Sequence, residues 1–215
     1  MLKFIFKCHC EVNKLEFTNE QLQMMISEEP VGNLYPYNTK DKQQIEAYIQ
    51  DLFYTINHSK SIKCEAIFDH YGSGYASYVD FFCYRKDGSS IVNKKYIEKD
   101  SLTSIQIEGL VLYISRLAPV AIIWRDKRHK AILDNGEDEF FSGMGMINHP
   151  HGIIDEPPSP MVNDFIEIKE KLARAGYHIL DKEYLSQPLP FKTKIQTFTR
   201  PNQYKLFDAF FFWKD

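Results

Sequence analysis

A run of histidines and carboxylates is the most metal-like feature of this chain. His149 and His151 flank a single proline, and Asp155 and Glu156 follow within five residues. Imidazole and carboxylate groups together suit zinc, iron or manganese. The segment is rich in proline and glycine, however, so no predicted helix or strand holds these ligands in place. The run indicates either a metal-dependent enzyme that uses these four residues or a polar loop.

A second group of residues is suited to binding another protein. Four carboxylates within six positions precede an aromatic ring, namely Asp134, Glu137, Asp138 and Glu139 followed by Phe140. Negative charge steers the encounter with a basic partner, and an aromatic ring anchors the contact. The alternative interpretation is a solvated loop whose phenylalanines begin the next strand. We take these five residues as the candidate partner-binding site.

Basic residues beside an aromatic ring form a third group. Trp124 is followed by Arg125 and Arg128, with two lysines and a histidine in the same run. Basic and aromatic side chains together bind RNA in many proteins. Asp126 interrupts the run, however, and the acidic stretch follows directly. A solvated loop between core strands is therefore favoured over an RNA-binding surface.

The cysteines are too few for a disulfide scaffold. The four cysteines are Cys8, Cys10, Cys64 and Cys83. All lie in segments typical of strands, where a reduced cysteine behaves as a small apolar residue. On a strand, Cys8 and Cys10 would share a buried face while His9 points away, which favours packing over metal binding. This cysteine usage favours the cytoplasm.

Sequence motifs of the common enzyme classes are missing from the chain. It contains no Gly-x-Ser-x-Gly elbow, no phosphate-binding loop and no dinucleotide-binding glycine fingerprint. The glycines at 72 and 74 lie between two predicted strands and indicate a turn. We therefore expect no cofactor, and we favour a binding protein over an enzyme.

Composition and charge restrict the class of protein further. The chain has 215 residues, of which 44% are hydrophobic and 26% charged, as in globular proteins. A net charge of −3 creates no strong field that would attract nucleic acid or an anionic membrane. No run of about 18 apolar residues is present, which argues against a membrane span. A cationic protein partner is mildly favoured.

Periodicity and capping signals predict the elements of the first half. A capping box at Thr18 predicts a short helix, and an apolar stripe at helical spacing predicts a longer one. Asp87-Gly88 is a hairpin signal, so we expect the strands to form an antiparallel meander. The predicted elements are strands at 2–12, 62–70, 75–86 and 90–97 and helices at 18–26 and 39–57.

The second half is predicted from similar signals. Pro119 ends one apolar segment with helical period, and Gly176 is well placed to end a later helix. The aromatic run at 204–213 must be buried, and we expect it to form a central strand. The other predicted elements are a helix at 104–117, a strand at 120–124, a charged loop at 125–139, a long loop at 142–160, a helix ending at 175 and a strand at 177–180.

Several segments from residue 113 onward resemble a known group of proteins. A helix end runs into a buried strand, and a helix exit and a proline-rich crossing precede the closing aromatic run. The segments are Tyr113-Ile114-Ser115-Arg116-Leu117-Ala118-Pro119-Val120-Ala121, Gly176-Tyr177, Tyr184-Leu185, Pro188-Leu189-Pro190 and Phe207-Asp208-Ala209-Phe210-Phe211-Phe212-Trp213. They resemble the small cytoplasmic immunity proteins that accompany bacterial polymorphic toxins.

The resemblance implies a binding protein that neutralises a cognate toxin by covering its active site. Immunity proteins share no catalytic motif, so the resemblance implies no functional residues. From the elements above we expect a single α+β domain over residues 1–215. Its sheet should be mostly antiparallel and twisted, with about four helices packed on it.

Overall fold

The computed structural model has the predicted α+β architecture. It describes residues 16–69, 72, 74–98, 102–133, 138–142, 147, 149–197 and 199–214. The α-helices of this part are α1 (Asn19–Ile26), α2 (Lys42–Asn57), α3 (Val162–Arg174), α4 (Lys182–Leu185) and α5 (Leu206–Phe210). The strands are β1 (Ile62–Ile67), β2 (Tyr75–Ala76), β3 (Tyr78–Arg85), β4 (Ile91–Ile97), β5 (Leu102–Ser115), β6 (Val120–Leu133), β7 (Asp138–Ser142), β8 (His178–Ile179) and β9 (Trp213–Lys214). The strand predicted at 2–12 lies outside the described residues.

The helix boundaries follow from their caps. In α1 the Thr18 hydroxyl accepts the Gln21 N–H, and the Gln21 side chain accepts the Thr18 N–H, which confirms the predicted capping box. α2 begins three residues later than predicted, because the Asp41 carboxylate caps it. α3 ends as predicted, with Gly176 at a positive φ of 73°.

The main sheet is almost entirely antiparallel. Its path runs β1-β3-β5-β6-β7, with β4 also paired to β5 and β8 paired parallel to β6. β5 and β6 are both 14 residues long and pair along nearly their whole length. β2 and β9 form a separate two-stranded sheet. The long β5–β6 pair therefore supports the other strands of the main sheet.

The predicted hairpin at Asp87-Gly88 is wrong. β3 and β4 do not pair with each other, because both pair with β5, one after the other along the same side. β3 pairs with residues 110–115, and β4 pairs with residues 102–107. Gly88, with a φ of 81°, lies in the short excursion between them. β3 and β4 therefore run in the same direction along β5, and the Asp-Gly pair lies in the connection between them instead of reversing the chain.

The segment at 104–117 is a strand and not the predicted helix. Its apolar residues are consecutive from Leu110 to Ile114 because both faces of β5 are buried there. A continuous apolar run fits a helix equally well, so its periodicity could not separate the two. The charged segment at 125–133 was also predicted wrongly. It is not a loop, since it continues β6 beyond Trp124.

Helices cover both faces of the sheet. On one face α2 and α3 pack against the strands, with Ile49 and Phe165 buried against Phe81 and Leu112. On the other face α1 and α5 pack on each other, and their buried residues belong to a second core cluster that includes Val111. The two clusters together bury the centre of the sheet on both sides.

The C-terminal aromatic run is buried, as predicted, but it is not a central strand. Its first part forms α5, which packs on α1 and α4, and its end forms β9. The Ser77 side chain holds the run in place, because it donates to the Phe210 carbonyl and accepts the Phe212 N–H at 2.8 Å. In the described part of the chain, no helix is long and apolar enough to cross a membrane.

Candidate functional site

The acidic segment joins two strands at one end of the main sheet. β6 and β7 pair antiparallel, with His129 opposite Ser142 and Ile132 opposite Asp138. Asp134 and Glu137 lie outside the described residues, between these strands. Asp138, Glu139 and Phe140 form the start of β7, so the strand begins two residues before the phenylalanines with which the alternative interpretation began it.

β7 is an edge strand with an irregular register. Among the described residues it pairs with β6 alone. Ala131 lies opposite Phe140 and Ile132 lies opposite Asp138, so the pairing shifts at Glu139. Such a bulge bends and twists an edge strand, and an edge strand carries backbone groups that are free to bind another chain. The candidate partner-binding residues therefore belong to, or adjoin, an edge of the sheet.

The histidine–carboxylate run lies in a different part of the molecule, before α3. His149 and His151 are exposed, with ring centroids 5.3 Å apart around the short 3₁₀ helix Pro150–Gly152. The positive charge of Lys205 lowers the pKa of His151, with smaller contributions from desolvation and from His149. The two rings lie beside each other and are tilted by 54°.

The carboxylates of this run do not complete a metal site. Asp155 accepts a hydrogen bond from the Lys182 backbone at the start of α4, at 3.2 Å, and Glu156 is exposed. In the described ranges, no three histidine, cysteine, aspartate or glutamate residues are grouped so that they could hold a metal ion. The Asp155 carboxylate therefore contacts the start of α4, and the metal-site interpretation stays a prediction.

The basic residues that follow Trp124 do not form one surface that could bind RNA. Neighbouring residues of a strand point to opposite faces, so Trp124 and Arg125 lie on opposite sides of β6. Trp124 is buried in the core against Tyr113, at a ring-centroid distance of 4.1 Å. Arg128 is also buried, whereas Arg125 forms an ion pair with Glu108 at 2.8 Å. These three residues therefore cannot stack on and bind one RNA strand together.

A buried charged network lies where the sequence predicted a solvated loop. Arg128 is 2% exposed, and its Nη2 atom lies 2.8 Å from both carboxylate oxygens of Asp80. The guanidinium also lies 4.6 Å from the centre of the Phe82 ring. Each charge is compensated within the sheet, so the network acts as a structural element. Every position from Arg125 to Lys130 is charged or histidine, so no alternation of apolar and polar residues indicated that β6 continues.

A second ion pair extends this network toward β1. The Tyr84 hydroxyl donates to Glu65 at 2.6 Å, and the Lys130 ammonium lies 3.3 Å from the same carboxylate oxygen. Lys130 is buried although it belongs to the run that was predicted to be solvated. The pairing therefore ties β1, β3 and β6 together across one face of the sheet.

The opposite face of β5 and β6 is polar where these strands extend beyond the helices. The Glu108 carboxylate accepts a hydrogen bond from Arg125 and also forms an ion pair with Lys127 at 3.6 Å. The hydrogen bond from Arg125 lowers the pKa of Glu108. Gln106 and His129 contact each other at 3.1 Å on the same face. This face carries more positive than negative side chains, in contrast to the acidic segment beside it.

A cleft of ≈ 440 Å³ lies between the histidine run and the C-terminal helix. Its lining includes His149, Thr199, Lys205 and Asp208. Asp208 is buried, and desolvation raises the pKa of its carboxyl group. One oxygen accepts the Lys205 N–H at 2.8 Å, while Oδ1 has no hydrogen-bond partner. The Thr199 hydroxyl favours the ionised form, but desolvation has the larger effect.

Comparison with known proteins leaves the function to be argued from the site itself. The chain matches no protein-family model, no curated protein and no solved structure. The resemblance to immunity proteins therefore stays a prediction that rests on the sequence segments given above. The structural features that bear on it are the edge strand β7 and the charges around it.

Proposed function

We propose that this protein is an immunity-type protein that binds a cognate bacterial toxin and neutralises it by occluding the active site. The observation that carries the proposal is the position of the acidic segment, which joins β6 to an edge strand of the main sheet. An edge strand can pair with a partner without rearrangement of the core. The sequence resemblance supports the same class of protein.

Charge complementarity indicates which kind of toxin would fit. Asp134, Glu137, Asp138 and Glu139 place four carboxylates next to each other along the chain. A toxin that acts on nucleic acid carries a basic active-site surface, and negative charge on the inhibitor accelerates association with such a surface. The proposed partner is therefore a basic toxin domain, and Phe140 is the proposed anchor.

The edge at β4 supports this choice of β7. β4 pairs with β5, and within the described part of the chain it pairs with no further strand. Its exposed side chains include Lys94 and Lys95. Lysines on an edge strand discourage pairing with other strands and repel a basic partner. The acidic edge at β7 is therefore the better docking site for a basic protein.

The experiment compares two variants of equal charge. The site variant replaces four acidic residues by alanine, namely Asp134, Glu137, Asp138 and Glu139. The control makes the same replacement at four exposed acidic residues elsewhere, namely Glu20, Asp51, Glu156 and Glu183. Each is mixed with purified candidate toxin domains, beginning with any that is encoded beside this gene, and association rate, dissociation rate and residual toxin activity are measured. We expect the site variant to associate about 10- to 100-fold more slowly, with a weaker salt dependence, and the control to match the wild type.

The outcomes separate the site from the function. If the wild type inhibits the toxin and both variants inhibit equally well, the acidic segment is not the interface. If the wild-type protein neither binds the neighbouring toxin domain nor protects cells that express it, the immunity function is wrong. Phe140→Ala should raise the dissociation rate with little change in association, because an apolar anchor acts after the encounter.

A further inference from the structure

Two cysteines that are 19 positions apart in the chain face each other in the sheet. Cys64 of β1 lies directly opposite Cys83 of β3 in the antiparallel register. Their Sγ atoms are 3.5 Å apart, and both residues are 2% exposed. The thiols are free. The sequence indicated only two small apolar residues, because the register that joins them depends on how β1 pairs with β3.

The backbone geometry at this pair suits a disulfide bond. The Cys64 N–H donates to the side chain of Asn57 at 3.0 Å, so it points away from β3. Cys64 and Cys83 are therefore a non-hydrogen-bonded pair, in which opposite Cα atoms approach to about 4.5 Å. Disulfides join cysteines whose Cα atoms lie about 4.4–6.8 Å apart. The sulfur atoms can reach bonding distance through side-chain rotation alone.

We propose that Cys64 and Cys83 form a redox modification site, at which a peroxide converts the facing thiols into a reversible cross-strand disulfide. The oxidant is of the hydrogen peroxide class, because a small neutral molecule needs less opening of the sheet to reach the thiols than a larger disulfide reagent does. This inference is independent of the proposed toxin binding, and its test needs no partner protein.

The chemistry balances with one peroxide for each pair of thiols. The thiolate of one cysteine attacks a peroxide oxygen, so a sulfur–oxygen bond forms, the oxygen–oxygen bond breaks, and the leaving hydroxide takes up the thiol proton as water. The second sulfur then attacks the resulting sulfenic acid. The sulfur–sulfur bond forms, the sulfur–oxygen bond breaks, and a second water leaves with the second thiol proton. Two electrons pass from the sulfurs to the peroxide.

Burial sets the rate of this reaction. Desolvation raises the pKa of the Cys64 thiol, with a further contribution from its hydrogen bond with Cys83. The thiolate is therefore scarce in the closed sheet, and a thiol reacts through its thiolate. β1 is the first strand in the order β1-β3-β5-β6-β7. It can therefore separate from β3 without opening the β5–β6 centre of the sheet. Oxidation should accordingly be slow and should proceed when β1 opens.

The disulfide would connect an edge strand to its neighbour. It closes a loop that contains the chain between β1 and β3, including β2. A closed loop of this length restricts the unfolded chain, which stabilises the folded protein. We expect the oxidised protein to melt about 5–10 °C above the reduced protein. Reduction by dithiothreitol should return the melting temperature to its original value.

The experiment is peptide mapping of the folded full-length protein after exposure to hydrogen peroxide. Free thiols are alkylated before digestion, and the expected product is a peptide pair in which Cys64 is joined to Cys83. The variant Cys8→Ser/Cys10→Ser should form the same disulfide, because it keeps the facing pair. The variants Cys64→Ala and Cys83→Ala should form no such disulfide and should show no rise in melting temperature after peroxide treatment.

The result that overturns the proposal can be read on the wild-type protein, so it does not depend on the folding of any variant. If Cys64 and Cys83 remain available for alkylation after unfolding of the treated protein, no disulfide has formed. If peroxide carries either sulfur to a sulfinic or sulfonic acid without a linked peptide, the pair is not a reversible site. A disulfide that joins only Cys8 and Cys10 would overturn the proposal as well.

Discussion

Arg128 and Asp80 form an ion pair inside the main sheet, with one guanidinium nitrogen 2.8 Å from each carboxylate oxygen. Both side chains are almost completely buried, at 2% and 1% exposure. The Nε atom of Arg128 makes no hydrogen bond and lies 3.7 Å from the nearest Asp126 oxygen. The pair therefore joins β3 to β6 across β5, and the Nε atom is the part of the Arg128 guanidinium that lacks a hydrogen bond.

Removal of one partner of this pair should destabilise the protein strongly. Asp80→Ala leaves a buried guanidinium without its carboxylate, and such a change lowers the free energy of unfolding by about 3–5 kcal/mol. Urea unfolding monitored by circular dichroism measures the effect. The double variant Asp80→Leu/Arg128→Met should lose less unfolding free energy than Asp80→Ala alone, because it leaves no unpaired charge. Equal losses in the two variants would contradict a paired charge.

A side chain at Gly109 should not fit between β5 and β3. A Cβ atom there would lie 2.5 Å from a ring carbon of Phe82 and 2.6 Å from the carbonyl oxygen of Cys83. The ring can turn, but the backbone carbonyl can move only with the strand. Gly109→Ala should therefore lower the free energy of unfolding by about 2–3 kcal/mol. The control Ser104→Ala, on the same strand, should change it by less than about 0.5 kcal/mol.

Asp208 should make stability depend on pH. Its pKa is raised in the folded protein, chiefly by desolvation, so the folded state binds this proton more tightly than the unfolded chain does. The group therefore supports folding below its unfolded pKa, and this contribution is lost as the pH rises through the folded pKa. Asp208→Asn keeps an oxygen for the Lys205 N–H. It should be more stable than the wild type by about 1 kcal/mol at neutral pH.

Urea unfolding over a range of pH values tests this prediction, and Asp41 provides a control of opposite sign. The advantage of Asp208→Asn should shrink as the pH falls, because the wild-type carboxyl becomes protonated. The pKa of Asp41 is lowered by the backbone N–H groups of Gln44 and Gln43 at the start of α2. The contribution of Asp41 to folding stability is present above its unfolded pKa and is lost as the pH falls. Asp41→Asn should therefore be less stable than the wild type at neutral pH only.

The C-terminal aromatic residues should be essential for folding. Phe210 is fully buried and contacts the ring of Phe17 at a centroid distance of 4.9 Å. Phe210→Ala should lower the free energy of unfolding by about 3–5 kcal/mol, because it leaves a cavity between α5 and its neighbours. The exposed Tyr54 is the control, and Tyr54→Ala should have a small effect. Deletion of residues 206–215 should abolish cooperative thermal unfolding.

Local sequence signals predicted α1, α2 and the end of α3. The capping box at Thr18, the apolar stripe of α2 and the glycine after α3 each act within a few residues, so each is visible in the chain itself. The errors arose where local signals are ambiguous. A continuous apolar run fits a helix or a doubly covered strand, and β5 is the latter because helices pack on both of its faces.

The charged half of β6 shows why charge is a poor guide to exposure. Arg128 and Lys130 were predicted to be solvated, but their partners Asp80 and Glu65 come from β3 and β1. Those partners lie 48 and 65 positions away in the chain, so no local sequence pattern predicts these ion pairs. The candidate partner-binding site was proposed from its local acidity, and its position beside an edge strand became visible only in the sheet topology.

The sequence by itself determined the α+β class, the start of α1, the end of α3 and the burial of the C-terminal aromatic run. These depend on local capping and on the requirement that many apolar side chains leave water. Only the tertiary structure decided that β3 and β4 share one side of β5, that Arg128 is neutralised inside the sheet, and that Cys64 faces Cys83. Strand register joins residues that are distant in the chain, and it is selected by packing on both faces of the sheet at once.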